Sequence, residues 1–177
     1  DTYREAARHG AHVLTHLLGQ SIAEVADKIQ IYRDTLVECG RNPANFKVTL
    51  MLHTLVGSDR DDVRELARGP MKDYLKSAAA LIKQYAWAFP AFKKPVGVSN
   101  PNEVDLQTLD PEELDAIIEF AFLRYFDDSG LFGTVQDALD RVAEVKAIGV
   151  DEIACLIDFG VPRSSALSAL EPLAEVV

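Results

Sequence analysis

Residues 11–20, AHVLTHLLGQ, decide how this chain is read. From Ala11 to Leu18 the run is largely apolar and lacks the strict alternation of a strand with one wet face. Such a run suits a strand covered on both faces, as parallel strands are. Gly10, just upstream, is placed to end a short helix over Thr2–His9. Downstream, Ser21 begins another helix, and Glu24 completes a capping box. In that helix Ile22, Val25, Ile29, Tyr32 and Leu36 recur at helical spacing until Gly40 stops it. A strand followed by an amphipathic helix is the first unit of the chain.

The pattern then repeats with variations. FKVTLMLHTLV at 46–56 reads as a second buried strand, LFG at 131–133 as a very short third and residues 153–159 as a fourth. A charged helix is expected over 59–68, broken by Gly69 and Pro70, with another over 71–88. Asp110, Pro111, Glu112 and Glu113 open a helix that reaches about Phe126: a cap, a proline in the first turn, then acids at the positive end of the helix dipole. Thr134 caps a further helix that Gly149 stops, and residues 164–176 suit a closing helix. Residues 90–109 carry three prolines and no clear period, which predicts a long loop. Strands alternating with helices predict an α/β fold of parallel βα units in one domain over residues 1–177. Four strands leave two edges unpaired. An open four-unit sheet and part of a larger barrel both fit, and the pattern alone gives no strand order.

Composition narrows the function. The chain is 48% hydrophobic and 26% charged, with a net charge of −10. That field repels phosphate backbones and anionic lipid, so neither nucleic acid nor membrane is an expected partner. No apolar run approaches the roughly 18–20 residues that span a bilayer. Cys39 and Cys155 are expected as buried free thiols, in keeping with a cytoplasmic protein. No phosphate-binding glycine loop, HExxH helix, paired CxxC or GxSxG elbow is present.

Active sites of parallel barrels form at the C-terminal ends of the strands. Thr15 and His16, His53 and Thr54, and Asp158 fall near such ends, while Gly19 and Gln20 form the loop after the first strand. His16, His53 and Asp158 are therefore the candidate catalytic residues. The same three could instead hold zinc in a metal-dependent hydrolase, although no HxH pair accompanies them.

AHVLTHLLGQ, LFGT at Leu131–Thr134 and GVDEIACLIDFGVP at 149–162, in this order, resemble the bacterial-luciferase-like family of flavin-dependent monooxygenases. The nearest match is the branch found in polyketide and nonribosomal-peptide biosynthetic clusters, of the mupirocin type. The resemblance runs from Thr2 to about Pro162. It implies the C-terminal half of a (β/α)8 TIM barrel, with these strands in positions five to eight, a long insertion before strand seven, and the missing N-terminal half as partner. It also implies reduced FMN as cofactor, with a deazaflavin as the open alternative, supplied by a separate NAD(P)H-dependent reductase. The substrate would be a small molecule, free or tethered to a carrier protein, and a homodimer would be compatible. Thr2, at a helix start that attracts phosphate, would join Thr15, Gly19 and Gln20 as cofactor-binding residues. Residues 90–109 would form a lid, with Trp87, Phe89 and Phe92 as apolar cover and Lys93 and Lys94 available to a carrier protein. A non-catalytic half-barrel for binding or dimerisation is the remaining alternative. Limited proteolysis of the complete enzyme is expected to cut within 90–109 first, and reduced FMN to slow that cut. Equal cutting with and without flavin would leave the segment a plain connector.

Overall fold

The computed structural model describes residues 1–77, 79–88, 99–103 and 109–177. Most of the expected lid over 90–109 therefore lies outside the described residues, as do Phe89, Phe92, Lys93 and Lys94. Within it, Pro101–Glu103 forms a single 3-10 turn.

Helix α1 spans Thr2–His9 and ends where Gly10 takes a left-handed conformation, φ 66°. Strand β1 (Val13–His16) leads into α2 (Ile22–Glu38), which opens with the Ser21–Glu24 capping box read from the sequence. Strand β2 (Val48–Gly57) precedes α3 (Arg60–Lys76) and α4 (Ala79–Ala88). Helix α5 (Pro111–Asp128) leads to β3 (Leu131–Thr134) and α6 (Val135–Ala147). Strand β4 (Glu152–Leu156) and two short helices, α7 (Arg163–Ser168) and α8 (Leu170–Ala174), complete the chain.

Among the described residues, the three strand pairings are all parallel, and all involve β2. Strand β1 runs beside its first residues, with Val13 opposite Val48 and His16 opposite Met51. Strand β3 covers only its end, from Thr54 to Gly57. Strand β4 pairs with Thr49 to His53. Strands five to eight of a barrel would each pair with the next in sequence, whereas here β4 skips β3 and joins β2. The short β3 leaves that stretch of β2 unpaired, and its backbone groups are satisfied by β4 instead. Among the described strands, β1 pairs with β2 alone.

The sheet packs on both faces. Val48, Leu50, Leu52, Val56 and Leu131 meet Ala7 of α1, Val25, Ile29 and Leu36 of α2, and Val145 of α6. On the opposite face Leu55 and Phe132 meet α3 and α5 through Met71, Leu75, Phe122 and Phe126. That second layer covers only the upper part of the sheet. Lower down, Leu14 is 67% exposed and His16 is exposed, although the sequence predicts a strand covered on both sides. Nothing among the described residues is packed over that end of β1.

Three further expectations are corrected. Gly69 and Pro70 do not break the chain into two helices, because α3 runs through them. Val63, Ala67, Met71 and Leu75 form a buried stripe across the proline. Burying Met71 and Leu75 is worth about 1.5–3 kcal/mol each, enough to offset the ~3 kcal/mol of an interior proline. The closing helix is split at Ala169, consistent with Pro172, whose ring would crowd the carbonyl four residues earlier. Finally, Cys39 and Cys155 are free thiols but both are exposed. Cys39 stands at the solvent end of α2, and Cys155 opens onto a cavity of about 690 Å³ beside α6.

The LFGT motif has a local reason. Gly133 has φ 115°, and a Cβ there would lie 2.5 Å from Asp137 Oδ2. That same oxygen accepts the Thr134 N–H and hydroxyl in the capping box of α6. At the opposite end of the sheet, Arg33 ties three elements together. It donates to the carbonyls of Pro43 at 2.9 Å and Phe46 at 2.6 Å, and to Asp151 Oδ2 at 2.6 Å. Asp151 Oδ2 also accepts the Val48 N–H at 2.7 Å, joining the entries of β2 and β4. Burial pushes the Asp151 carboxyl up, but the Val48 N–H and Arg33 outweigh it and hold the group below its usual range. Arg33→Ala is expected to destabilise the fold by about 2 kcal/mol, read as a lower urea midpoint, since partly buried acceptors lose their donor. An unchanged midpoint would show that this cluster carries no stability.

Candidate active site

Successive β2 residues alternate between faces, so His53 shares the second face with Met51 and hence with Met51's register partner, His16. The two histidines differ in surroundings. His16 closes β1, exposed, with its Nδ1 accepting the Leu18 N–H at 3.1 Å. His53 is only 2% exposed. Its ring lies edge-on to Tyr74, Tyr125 and Phe159, at centroid distances of 4.5, 5.5 and 5.6 Å. Nδ1 is 2.7 Å from the Tyr125 hydroxyl, while Nε2 is buried with no hydrogen-bond partner among the described residues. Burial, reinforced by His16, lowers the His53 pKa from 6.5 to about 4, so at neutral pH the ring is uncharged.

Asp158 lies beyond β4, which ends at Leu156 rather than running to Phe159 as the sequence predicts. The chain leaves the sheet there, placing Phe159 against His53 and leaving Asp158 exposed. Thr54 is buried on the opposite face and donates to the Leu52 carbonyl at 2.9 Å. Among the described residues no group of three or more His, Cys, Asp or Glu converges as a metal site would require. The hydrolase alternative therefore has no ligand set there.

Thr15 and Gln20 are joined to each other. Thr15 Oγ1 accepts from the Tyr3 hydroxyl at 2.9 Å and from Gln20 Nε2 at 3.3 Å. Gln20 Nε2 also donates to the His16 carbonyl, and its Oε1 accepts from Lys28 at 2.5 Å. The Gln20 amide is thus committed to bonds within the chain. The Tyr3–Thr15 bond sets the first turn of α1, and with it Thr2, beside the end of β1. Thr2 is exposed, and Asp1 before it makes no side-chain cap bond. The first-turn N–H groups of α1 are therefore not capped by a side chain, as an anion site at a helix start requires. Gly19, with φ 75°, and Gln20 line a cavity of about 480 Å³ that Tyr85, Arg124 and Arg141 face. Trp87, an expected lid residue, packs half-buried against Ala86, Ile117 and Ile118.

The sequence reading missed Tyr74, Tyr125 and Phe159, which enclose His53. Tyr125 is 72 residues from its partner, and no local period reveals such a pairing. The one available signal was a tyrosine within the buried stripe of α5 that includes Ile118, Ala121 and Phe122.

Parallel strands alternating with helices, with His16 at the end of β1 and His53 within β2, define an α/β protein. Residues 1–152 match the family model for luciferase-like monooxygenases, and the chain belongs to that family. No curated protein matches it. Among solved structures it is similar to the monooxygenase RslO1 from Streptomyces bottropensis, at 15% identity and TM-score 0.57, covering 99% of this chain and 43% of that one. It is also similar to the oxygenating constituent of 3,6-diketocamphane monooxygenase from Pseudomonas putida, a type II Baeyer–Villiger monooxygenase in complex with FMN. There identity is 13% and TM-score 0.58, over 99% of this chain and 45% of that one. The coenzyme F420 dependent tetrahydromethanopterin reductase from Methanopyrus kandleri gives 13% and 0.58, over 99% and 48%. The chain thus spans less than half the length of each.

The low pKa of His53 has a consequence for stability. The folded value of about 4 lies below the unfolded 6.5, so between them the unfolded chain binds a proton that the folded chain rejects. Stability is expected to be unaffected by this group above about pH 7 and to fall by roughly 3 kcal/mol as pH drops through 6.5 toward 4. Urea midpoints at pH 7.5 and 4.5 should therefore separate more in the wild type than in His53→Gln. Equal separations would contradict the buried, neutral imidazole.

Proposed function

We propose that the chain is the C-terminal half of a flavin-dependent monooxygenase barrel, in which β4 takes the stretch of β2 that the short β3 leaves unpaired. Its substrate would be a small biosynthetic molecule, free or held on a carrier protein, as in the mupirocin-type branch. The observation that carries the reading is His53, a buried neutral imidazole on the central strand whose Nε2 has no partner. A group of this kind suits hydrogen bonding or proton transfer at a reacting atom. Family membership supports the reaction class, and FMN in the diketocamphane enzyme supports the cofactor.

In this reading the first turn of α1, with Thr2, would receive the flavin phosphate through uncapped backbone N–H groups. Gly19 and Gln20 would border the ring, with Thr15 holding the Gln20 amide in place. Reduced FMN, when bound, supplies the electrons that activate dioxygen, and a separate NAD(P)H-dependent reductase would deliver it. His53 would hold or donate a proton at its Nε2, His16 would stand on the same face of the sheet at the end of β1, and Asp158 would lie in the turn after β4. Tyr74, Tyr125 and Phe159 keep water from the imidazole. The uncovered end of β1, with Leu14 and His16 exposed, would meet the first four βα units of the barrel.

Flavin titration tests this directly. The 177-residue chain alone is expected to bind no FMN, and the chain joined to its N-terminal half to bind it. In the complete enzyme, His53→Gln should lower kcat by about tenfold or more, with little loss of stability at pH 7.5. Preference for a deazaflavin would overturn the choice of FMN. An enzyme that binds no flavin, or turns over equally well without His53, would overturn the proposal and favour a non-catalytic module.

A further inference from the structure

Building on the reading of His53 as a site residue, we infer that Tyr125 is a positioning residue. Through its hydrogen bond to His53 Nδ1, it fixes the tautomer that carries the proton on Nε2 and so presents an N–H donor to an acceptor oxygen of the bound molecule.

A neutral imidazole has one N–H and one lone pair, and a phenol can donate one proton and accept others. With Nδ1 and the Tyr125 hydroxyl 2.7 Å apart, the shared proton belongs to one or the other. If Nδ1–H donated, the phenol proton would need another acceptor, and the Tyr125 hydroxyl makes no other hydrogen bond among the described residues. Both that proton and the Nε2 lone pair would then be without partners among the described residues. If the phenol donates, Nδ1 is satisfied and only the Nε2–H is left over. The second arrangement leaves one orphan rather than two, and buried polar groups are rarely orphaned without reason. Burial, followed by the nearby Tyr85 and Tyr74, raises the Tyr125 pKa well above the ordinary tyrosine range, so the phenol keeps its proton.

Rotation offers no escape. Tyr74, Tyr125 and Phe159 stand edge-on to the imidazole, and exchanging its nitrogens would break the bond to Tyr125. The donor is thus preformed before any ligand arrives, as a group that stabilises developing negative charge should be. The acceptor it suits is a carbonyl or anionic oxygen on the flavin or on the substrate.

The test reads the tautomer directly. Long-range 1H–15N spectra of the 177-residue chain, labelled at its four histidines, are recorded at pH 7.5, with His53→Asn identifying the resonances. The expected result is an unprotonated Nδ1 and a protonated Nε2 at His53, and a mixture of tautomers in Tyr125→Phe. A protonated Nδ1 in the wild type, or an unchanged spectrum in Tyr125→Phe, overturns the positioning role. Should that variant fail to fold, fluorotyrosine incorporation keeps the ring and changes the hydroxyl acidity. It must move the Nδ1 resonance, and a static resonance overturns the role equally. In the complete enzyme, Tyr125→Phe should lower kcat about tenfold with KM for flavin unchanged, and should add nothing to His53→Asn. A fixed tautomer together with unaltered kcat in both variants would remove His53 from the reaction while leaving the Tyr125–His53 pair in place. The two failures are therefore distinct.

Discussion

Parallel hydrogen bonding to a single strand, Val48–Gly57, holds the sheet together, because β1, β3 and β4 each pair with it. With ten residues it is the longest strand, and its side chains feed both cores. Its position sets the constraints on the rest. The Arg33–Asp151 cluster pins its entry, where an aspartate oxygen accepts the first N–H of the strand. Its far end is covered by β3, whose four residues depend on a glycine with positive φ. His53 lies between these ends.

The two faces of that strand have unequal fates, and the difference matters for chemistry. The face toward α1, α2 and α6 is sealed mainly by aliphatic side chains, with Tyr32 among them. The other is sealed only where α3 and α5 reach it, and there the lining is aromatic: Tyr125, Phe126, Phe132 and Phe159. A neutral imidazole fits such a lining at the expense of one unsatisfied nitrogen. Its neighbour His16, on the part of the face that α3 and α5 do not reach, stays exposed. One covered and one open histidine on a single face are what a site completed by another part of a barrel would show from one side.

Local signals made much of the fold legible. Gly10, the Ser21–Glu24 pair, the Asp110–Pro111 start and Thr134 set helix boundaries through capping, which depends on residues a few positions apart. What failed was non-local. Pro70 reads as a breaker because its local cost is visible in sequence, whereas the buried stripe that outweighs it is not. Strand order was equally hidden, since β4 joins β2 on the stretch that β3 does not cover. At the site, His16 could be placed at the end of its strand, whereas His53, expected near a strand end, lies within β2, which continues to Gly57. The aromatic enclosure of His53 required α3, α5 and the turn after β4 to converge. Asp158 was misjudged as a strand residue because the apolar run continues past the point where pairing stops.

The central claim is that the uncovered face of β1 and its unpaired edge belong to the interior seam of a larger barrel. Hydrogen–deuterium exchange over Val13–His16 addresses it most directly, because alternate amides of a parallel strand point to opposite edges. In the chain alone, amides directed at β2 should be protected and those on the open edge should exchange quickly. With four further βα units joined upstream, the open-edge amides should slow by orders of magnitude. Identical exchange in the two proteins would contradict the claim and leave the chain an open sheet in its own right.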